Sequence, residues 1–224
     1  ATALNAIVQS FGALAIRPAS PVRPTPPLPI ITPNADPVRL THKGAADQAV
    51  AVLVWPTGGG TAGVPIGRQL DILAAIFADR LFEQFREGEG ASYSPDVTSQ
   101  WPQSFPSGGT FSVSAQVKPE SLPAFFARAK SIATDLAANP VNADELRRAL
   151  VPMVQRLSRA STGNSFWMTQ LAGATSDRRR ITNVRRWRKD LERITPHDIQ
   201  RLARKYLRSD TSFSAIVVPE MPKP

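Results

Sequence analysis

The 224-residue chain contains no cysteine and only two histidines. The first absence excludes disulfides, thiolate metal sites and thiol catalysis, although it leaves the redox compartment open. The two histidines, His42 and His197, stand 155 positions apart. A catalytic zinc takes three protein ligands, often with two histidines one helical turn apart. That spacing is absent, so both read as surface or capping residues. No run approaches the roughly 20 apolar residues of a membrane-spanning helix. The N-terminus, Ala1-Thr2-Ala3-Leu4-Asn5-Ala6, has neither an initiator Met nor a basic leader region. It does not read as a signal peptide and is expected to be the cut end of a longer polypeptide.

A chain of this length can bury roughly 70% of its unfolded surface and needs no crosslink to fold. Its net charge is +9, and the excess is local. From Arg178 to Arg208 there are twelve basic and three acidic residues, and the rest of the chain is balanced. This segment reads as a solvated or partner-docking face. Clustered arginines beside Trp187 also suit phosphate backbones or anionic lipid, but Asp190 and Glu192 interrupt them and no nucleic-acid module signature is present.

Apolar residues Leu4, Ile7, Val8, Phe11 and Leu14 recur at helical steps, and Gly12 suits a stop. Eight prolines from Pro18 to Pro37 then exclude an internal helix or a central strand. They predict an extended connector. Arg23-x-x-Pro26-x-x-Pro29 has the spacing of some groove-binding ligands, but the connector reading covers it.

The folded body is expected from Val38. Residues 38–42 alternate as a strand, and Gln48 to Trp55 is an apolar run suited to a buried one. Gly58-Gly59-Gly60-Thr61 lacks the Gly-Lys-Ser/Thr ending of a phosphate loop and reads as a strand-to-helix turn. A wide apolar stripe predicts a helix from about Ile66 to Phe85, ended by Gly88 and Gly90. Strands are predicted from Ser92 to Gln100 and from Gly109 to Val117.

The C-terminal half reads as helices over about 122–138, 142–160, 166–174, 183–193 and 195–207, then a strand over 212–218. Asn142 with Glu145 resembles a capping box, and Thr195-Pro196-His197-Asp198 is a helix start. Pro152 predicts a kink or irregularity. The order implies an α+β fold, an antiparallel sheet with several helices packed on one face.

The segment Leu81-Phe82-Glu83-Gln84-Phe85-Arg86-Glu87-Gly88-Glu89-Gly90-Ala91-Ser92-Tyr93-Ser94-Pro95 resembles the C-terminal-type domain of the insulinase/pitrilysin zinc metallopeptidases. There Leu-Arg-Glu-x-x-Gly-x-Ser/Gly-Tyr recurs. Gly109-Thr110-Phe111, Asn142-Ala143-Asp144-Glu145-Leu146 and Asn164-Ser165-Phe166-Trp167 follow in that family's order, and the likeness covers about residues 38 to 218. It implies a mitochondrial-processing-peptidase-like half, with residues 38–224 as the domain. Residues 1–37 would be the end helix of a preceding half plus its connector.

In that family two homologous halves close on a peptide. One binds zinc through His-x-x-Glu-His and a distal Glu, and the motif Glu is the general base. The other presents an Arg and a Tyr. Here the zinc motif is missing. The resemblance therefore implies a substrate-binding, non-metal half, inactive alone, with zinc in the partner half. Arg86 would anchor a backbone carbonyl and Tyr93 would support the scissile one. Both residues are hydrogen-bond donors, suited to carbonyls or a developing oxyanion. The implied partners are the zinc-binding half, in the same polypeptide or a second subunit, and a peptide; homo- or hetero-dimers fit. The alternatives are a non-catalytic binding or assembly subunit of the same fold, and an anion- or nucleic-acid-binding module. If the full-length protein is bacterial, a periplasmic or otherwise exported location is expected.

Overall fold

In the computed structural model, residues 2–16, 31–88 and 95–220 are described, the side chains of residues 86–88 excepted. The elements in chain order are α1 (Thr2–Ser10), β1 (Val38–His42), β2 (Ala49–Pro56), α2 (Val64–Gly88), β3 (Asp96–Gln100) and β4 (Thr110–Val117). They continue with α3 (Leu122–Ala138), α4 (Ala143–Ala160), α5 (Asn164–Leu171), α6 (Arg179–Glu192), α7 (Pro196–Tyr206) and β5 (Phe213–Pro219). The fold is α+β, as the residue pattern predicts.

The five strands lie in the order β1-β5-β2-β4-β3. All neighbouring pairs are antiparallel except β1 with β5. The exception has a topological cause. The short segment from Lys43 to Gln48 reverses the chain, so β1 and β2 run oppositely with β5 between them. A strand antiparallel to β2 must then be parallel to β1. Six residues easily span the roughly 10 Å across one intervening strand. Ahead of β1, Asn34 donates from Nδ2 to the Ser214 carbonyl at 2.8 Å and accepts the Ser214 N–H at 2.7 Å. This pairing fastens the chain before β1 onto β5.

One face of the sheet carries the core. Ala49, Ala51, Leu53 and Trp55 of β2 alternate inward beside Phe111, Val113, Ala115 and Val117 of β4. Leu70, Ile72, Leu73, Ile76, Phe77 and Leu81 of α2 are fully buried. Each such side chain contributes about 1.5–3 kcal/mol as an upper estimate. Trp55, Phe77 and Phe111 form a triad of tilted and edge-on rings, with centroids 5.8–6.3 Å apart. The Trp55 indole N–H donates to the Arg208 carbonyl at 2.9 Å, so its polar atom is satisfied.

The helical half departs from the sequence reading at a few ends. α6 begins at Arg179, ahead of Asn183, while α4 runs from Ala143 to Ala160 with Pro152 inside it. β3 begins at Asp96; the predicted onset at Ser92 lies outside the described residues. α7 starts as predicted. The Thr195 Oγ accepts the Asp198 N–H while the Asp198 carboxylate accepts the Thr195 N–H at 3.0 Å. α1 buries no residue, and Leu4, Ile7 and Val8 are more than half exposed.

Candidate functional site

α2 is the element on which the candidate sites are built. Its 25 residues reach about 37 Å at 1.5 Å per residue. Its C-terminal end carries Arg86, and the following connection leads through Tyr93 to β3. The Arg86 backbone is helical; its side chain, and all of Tyr93, lie outside the described residues. Among the described strands, β3 is outermost and pairs with β4 alone. Its other edge can accept an extended peptide by strand addition.

The opposite end of α2 holds a polar cluster that the sequence reading did not isolate. Arg68, only 5% exposed, donates from Nη1 to the Asp190 carboxylate of α6 at 2.6 Å. Its Nη2 donates to the Asn183 carbonyl at 2.7 Å. The guanidinium also lies 4.6 Å from the Trp187 ring centre. One turn on, half-buried Asp71 lines a cavity of about 180 Å³ shared with Ser99, Trp101, Gln103, Gln170 and Trp187. Burial pushes the Asp71 carboxyl up to about 6, against the pull of the Arg68 charge. These residues come from α2, the end of β3 and its following loop, α5 and α6. The only local signal is an Asp within the apolar stretch Leu70-Asp71-Ile72.

Trp101 closes one wall of this cavity and is seated on glycines. A Cβ at Gly63 would meet its ring at 2.1 Å, and one at Gly67 would meet its Cβ and Cγ at 2.8 Å. Its indole N–H donates to the Gly60 carbonyl at 3.0 Å. The glycine loop, excluded above as a phosphate loop, has a packing explanation. A Cβ at Gly59 would lie 2.3 Å from the Phe105 carbonyl oxygen, and Gly60 has φ +84°. The Gly60 N–H donates to Pro102 at 2.8 Å, tying the loop to the β3–β4 connection.

The two histidines lie on different elements, His42 at the end of β1 and His197 in α7. The His42 Nδ1 accepts the Gly44 N–H at 2.9 Å, which leaves Nε2–H to donate to the Gln48 carbonyl at 2.8 Å. His197 lies exposed in the first turn of α7. Among the described residues, no three His, Cys, Asp or Glu side chains are grouped to hold a metal. The described donor set therefore does not fit zinc. Nor is any described helix long and apolar enough to cross a membrane.

Part of the basic segment is engaged internally. Arg188 pairs with Glu192, Arg201 with Asp198, and Arg208 with Asp210. Arg204 donates to the Ala137 carbonyl at the end of α3. Arg185, Arg186 and Lys189 project from the exposed side of α6. Trp187 turns inward onto Arg68 and Phe166, so it is a packing residue rather than an interleaved base-stacking platform. Trp167 packs edge-on against Phe166 while remaining 42% exposed.

The fold recurs in solved structures. The periplasmic protease PqqL from Escherichia coli superposes with a TM-score of 0.76 at 15% identity, over 98% of this chain and 24% of that one. A protease from Helicobacter pylori gives 0.78 at 13% identity, over 97% and 52%. A peptidase M16 inactive domain from Pseudomonas fluorescens gives 0.65 at 18%, over 89% and 48%. The chain thus spans about a quarter to a half of these proteins. The sequence matches no curated protein. Residues 1–150 match the family model of the peptidase M16 inactive domain. On that match, the chain belongs to the M16 metallopeptidase family, as an inactive domain.

Proposed function

We propose that this chain is the substrate-holding, metal-free half of a two-half zinc endopeptidase. The observation that carries the reading is the connection from the end of α2 to the outer strand β3. In sequence, the Arg86-to-Tyr93 segment joins the end of α2 to this strand, which is outermost among the described strands, in a domain of the inactive M16 type. A peptide added to β3 would gain backbone hydrogen bonds along the strand. Arg86 would donate to one of its carbonyls, and the Tyr93 hydroxyl would donate to the carbonyl under attack. The zinc and its general base would belong to the companion half.

In this reading, residues 1–37 belong to the end of the preceding half and its connector. The exposure of every described residue of α1 supports that division. For a bacterial full-length protein the compartment is the periplasm or another exported location, as the description of PqqL suggests.

The test is peptide turnover by the full-length protein, or by this chain reconstituted with its zinc-binding half. Arg86→Ala and Tyr93→Phe are each expected to lower kcat/KM by at least about tenfold, with the thermal unfolding of the domain retained. Unchanged turnover in both folded variants would sink the assignment. A reconstituted complex that assembles but hydrolyses no peptide would instead favour the non-catalytic binding or assembly subunit. The missing zinc motif is compatible with that second reading.

A further inference from the structure

The cavity at the start of α2 has an unusual balance of charge. Asp71 lines it and makes no hydrogen bond or ion pair to any described residue. The nearest cation, Arg68, is already engaged by Asp190, the Asn183 carbonyl and the Trp187 ring. Among the lining residues only Arg68 and Asp71 are ionisable. Arg68 is shared between Asp190, which it hydrogen-bonds, and Asp71, which it reaches only through space, so the Asp71 carboxylate is the less compensated of the two.

The remaining lining combines Val64 and Gly67 with polar side chains that can accept hydrogen bonds and two aromatic rings. The Ser99 Oγ is buried without a hydrogen-bond partner among the described atoms. Gln103 and Gln170 add amide oxygens, and Trp101 and Trp187 supply two indoles. A half-buried carboxylate without a hydrogen bond is costly, and so is an orphan hydroxyl. An anion would meet Asp71 unfavourably, and a neutral donor could hydrogen-bond it without offsetting its charge. A cation offsets that charge and can donate to the acceptors around it. At about 180 Å³ the cavity holds a side-chain-sized group rather than a drug-sized ligand.

We propose that this cavity is a subsite for a monocationic group, an ammonium or a guanidinium, with Asp71 as its counter-ion and Ser99, Gln103 and Gln170 as acceptors. The site stands on its own geometry. Where it deepens the peptidase reading, it rests on that reading and takes a lysine or arginine side chain of the bound peptide.

The experiment titrates the 224-residue chain at pH 7.5 by calorimetry. The probes are methylguanidinium, n-butylammonium, neutral n-butanol, and blocked pentapeptides Ala-Ala-Xaa-Ala-Ala with arginine or norleucine at Xaa. Both cations, or the arginine peptide, are expected to bind at least about tenfold tighter than their neutral counterparts. Asp71→Asn should weaken that binding about tenfold or more, while Asp210→Asn, an exposed carboxylate elsewhere, should leave it unchanged. Circular dichroism melting confirms that both variants fold. In the unsubstituted chain, affinity should fall as pH drops from 7.5 to 5 and Asp71 takes up a proton. That readout needs no variant.

A much tighter arginine peptide than methylguanidinium supports a subsite along a bound chain. Equal affinities support a site for free small cations. The proposal is overturned if neutral probes bind as well as cations, if Asp71→Asn changes nothing, or if no cation binds. Such a failure leaves the effects of Arg86→Ala and Tyr93→Phe on turnover untouched, so the two readings fail separately.

Discussion

Arg80 on α2 grips Glu145 on α4 with two hydrogen bonds, Nε to Oε1 at 2.6 Å and Nη2 to Oε2 at 3.0 Å. The same guanidinium reaches the Asp135 carboxylate on α3 through Nη1. One side chain thus joins three helices. Glu145 is only 7% exposed, so its carboxylate meets Arg80 largely out of water. The hydrogen bond to Glu145 is the main influence holding the Arg80 pKa above its ordinary value. Because the guanidinium is partly exposed, solvent screening lowers the benefit below that of a fully buried pair. Arg80→Ala is expected to lower stability by about 2–3 kcal/mol in urea unfolding. In contrast, Arg148→Ala removes an exposed pair with Asp144 and should stay within about 0.5 kcal/mol.

Gly67 should reverse the usual glycine rule. Replacing an interior helical glycine by alanine ordinarily stabilises by about 0.5–1 kcal/mol. Here the new Cβ would come within 2.8 Å of the Cβ and Cγ of Trp101. Gly67→Ala is expected to destabilise by about 1–2 kcal/mol as the indole is pushed off its seat. A double-mutant cycle checks the cause: in a Trp101→Ala background the same substitution should be neutral or stabilising. A destabilisation of equal size in both backgrounds would rule out the indole contact.

Asp71 gives stability a pH dependence of definite sign. Its carboxyl titrates near the ordinary 3.8 in the unfolded chain and at about 6 in the fold, because burial disfavours the charge. Between those values the folded chain holds more protons than the unfolded one. The contribution of this group is therefore full below about 3.8 and is lost as pH rises through about 6. Asp71→Asn should match the unsubstituted chain near pH 3.8 and exceed it by about 2–3 kcal/mol at pH 7. Melting or urea unfolding across that range measures the difference. An advantage that shrinks as pH rises would contradict the assignment.

The capping box of α7 should behave as a separable unit. Thr195→Ala removes the side-chain acceptor of the Asp198 N–H and is expected to destabilise by about 1 kcal/mol. Thr195→Ser should recover most of that loss. Equal losses in both variants would show that the threonine methyl, not its hydroxyl, supplies the stabilisation.

The local features of this fold are legible in the sequence because neighbouring residues create them. Thr195 and Asp198 announce a helix start, and alternation from Phe111 to Val117 announces a strand. The stripe from Leu70 to Phe82 gives α2 its inward face, although Phe82 itself remains 49% exposed. Pro152 lies inside α4, whose helix continues past it. The resemblance carried by Arg86 and Tyr93 was visible only as a family pattern. Chemistry alone assigns little to an Arg and a Tyr seven positions apart.

What the sequence by itself determined was therefore the element order, the α+β class, the absence of the His-x-x-Glu-His zinc motif and the family. Local propensity and composition fix the first three, and the family follows from the pattern of short motifs. Tertiary structure alone decided the sheet order, which inserts β5 between β1 and β2. It alone brought Arg68 to Asp190 across 122 positions and left Asp71 facing a cavity without a hydrogen bond or ion pair to a described residue. Such relationships depend on which buried groups meet after the chain has closed on itself. A carboxylate inside an apolar stretch carries no local mark of what will lie opposite it.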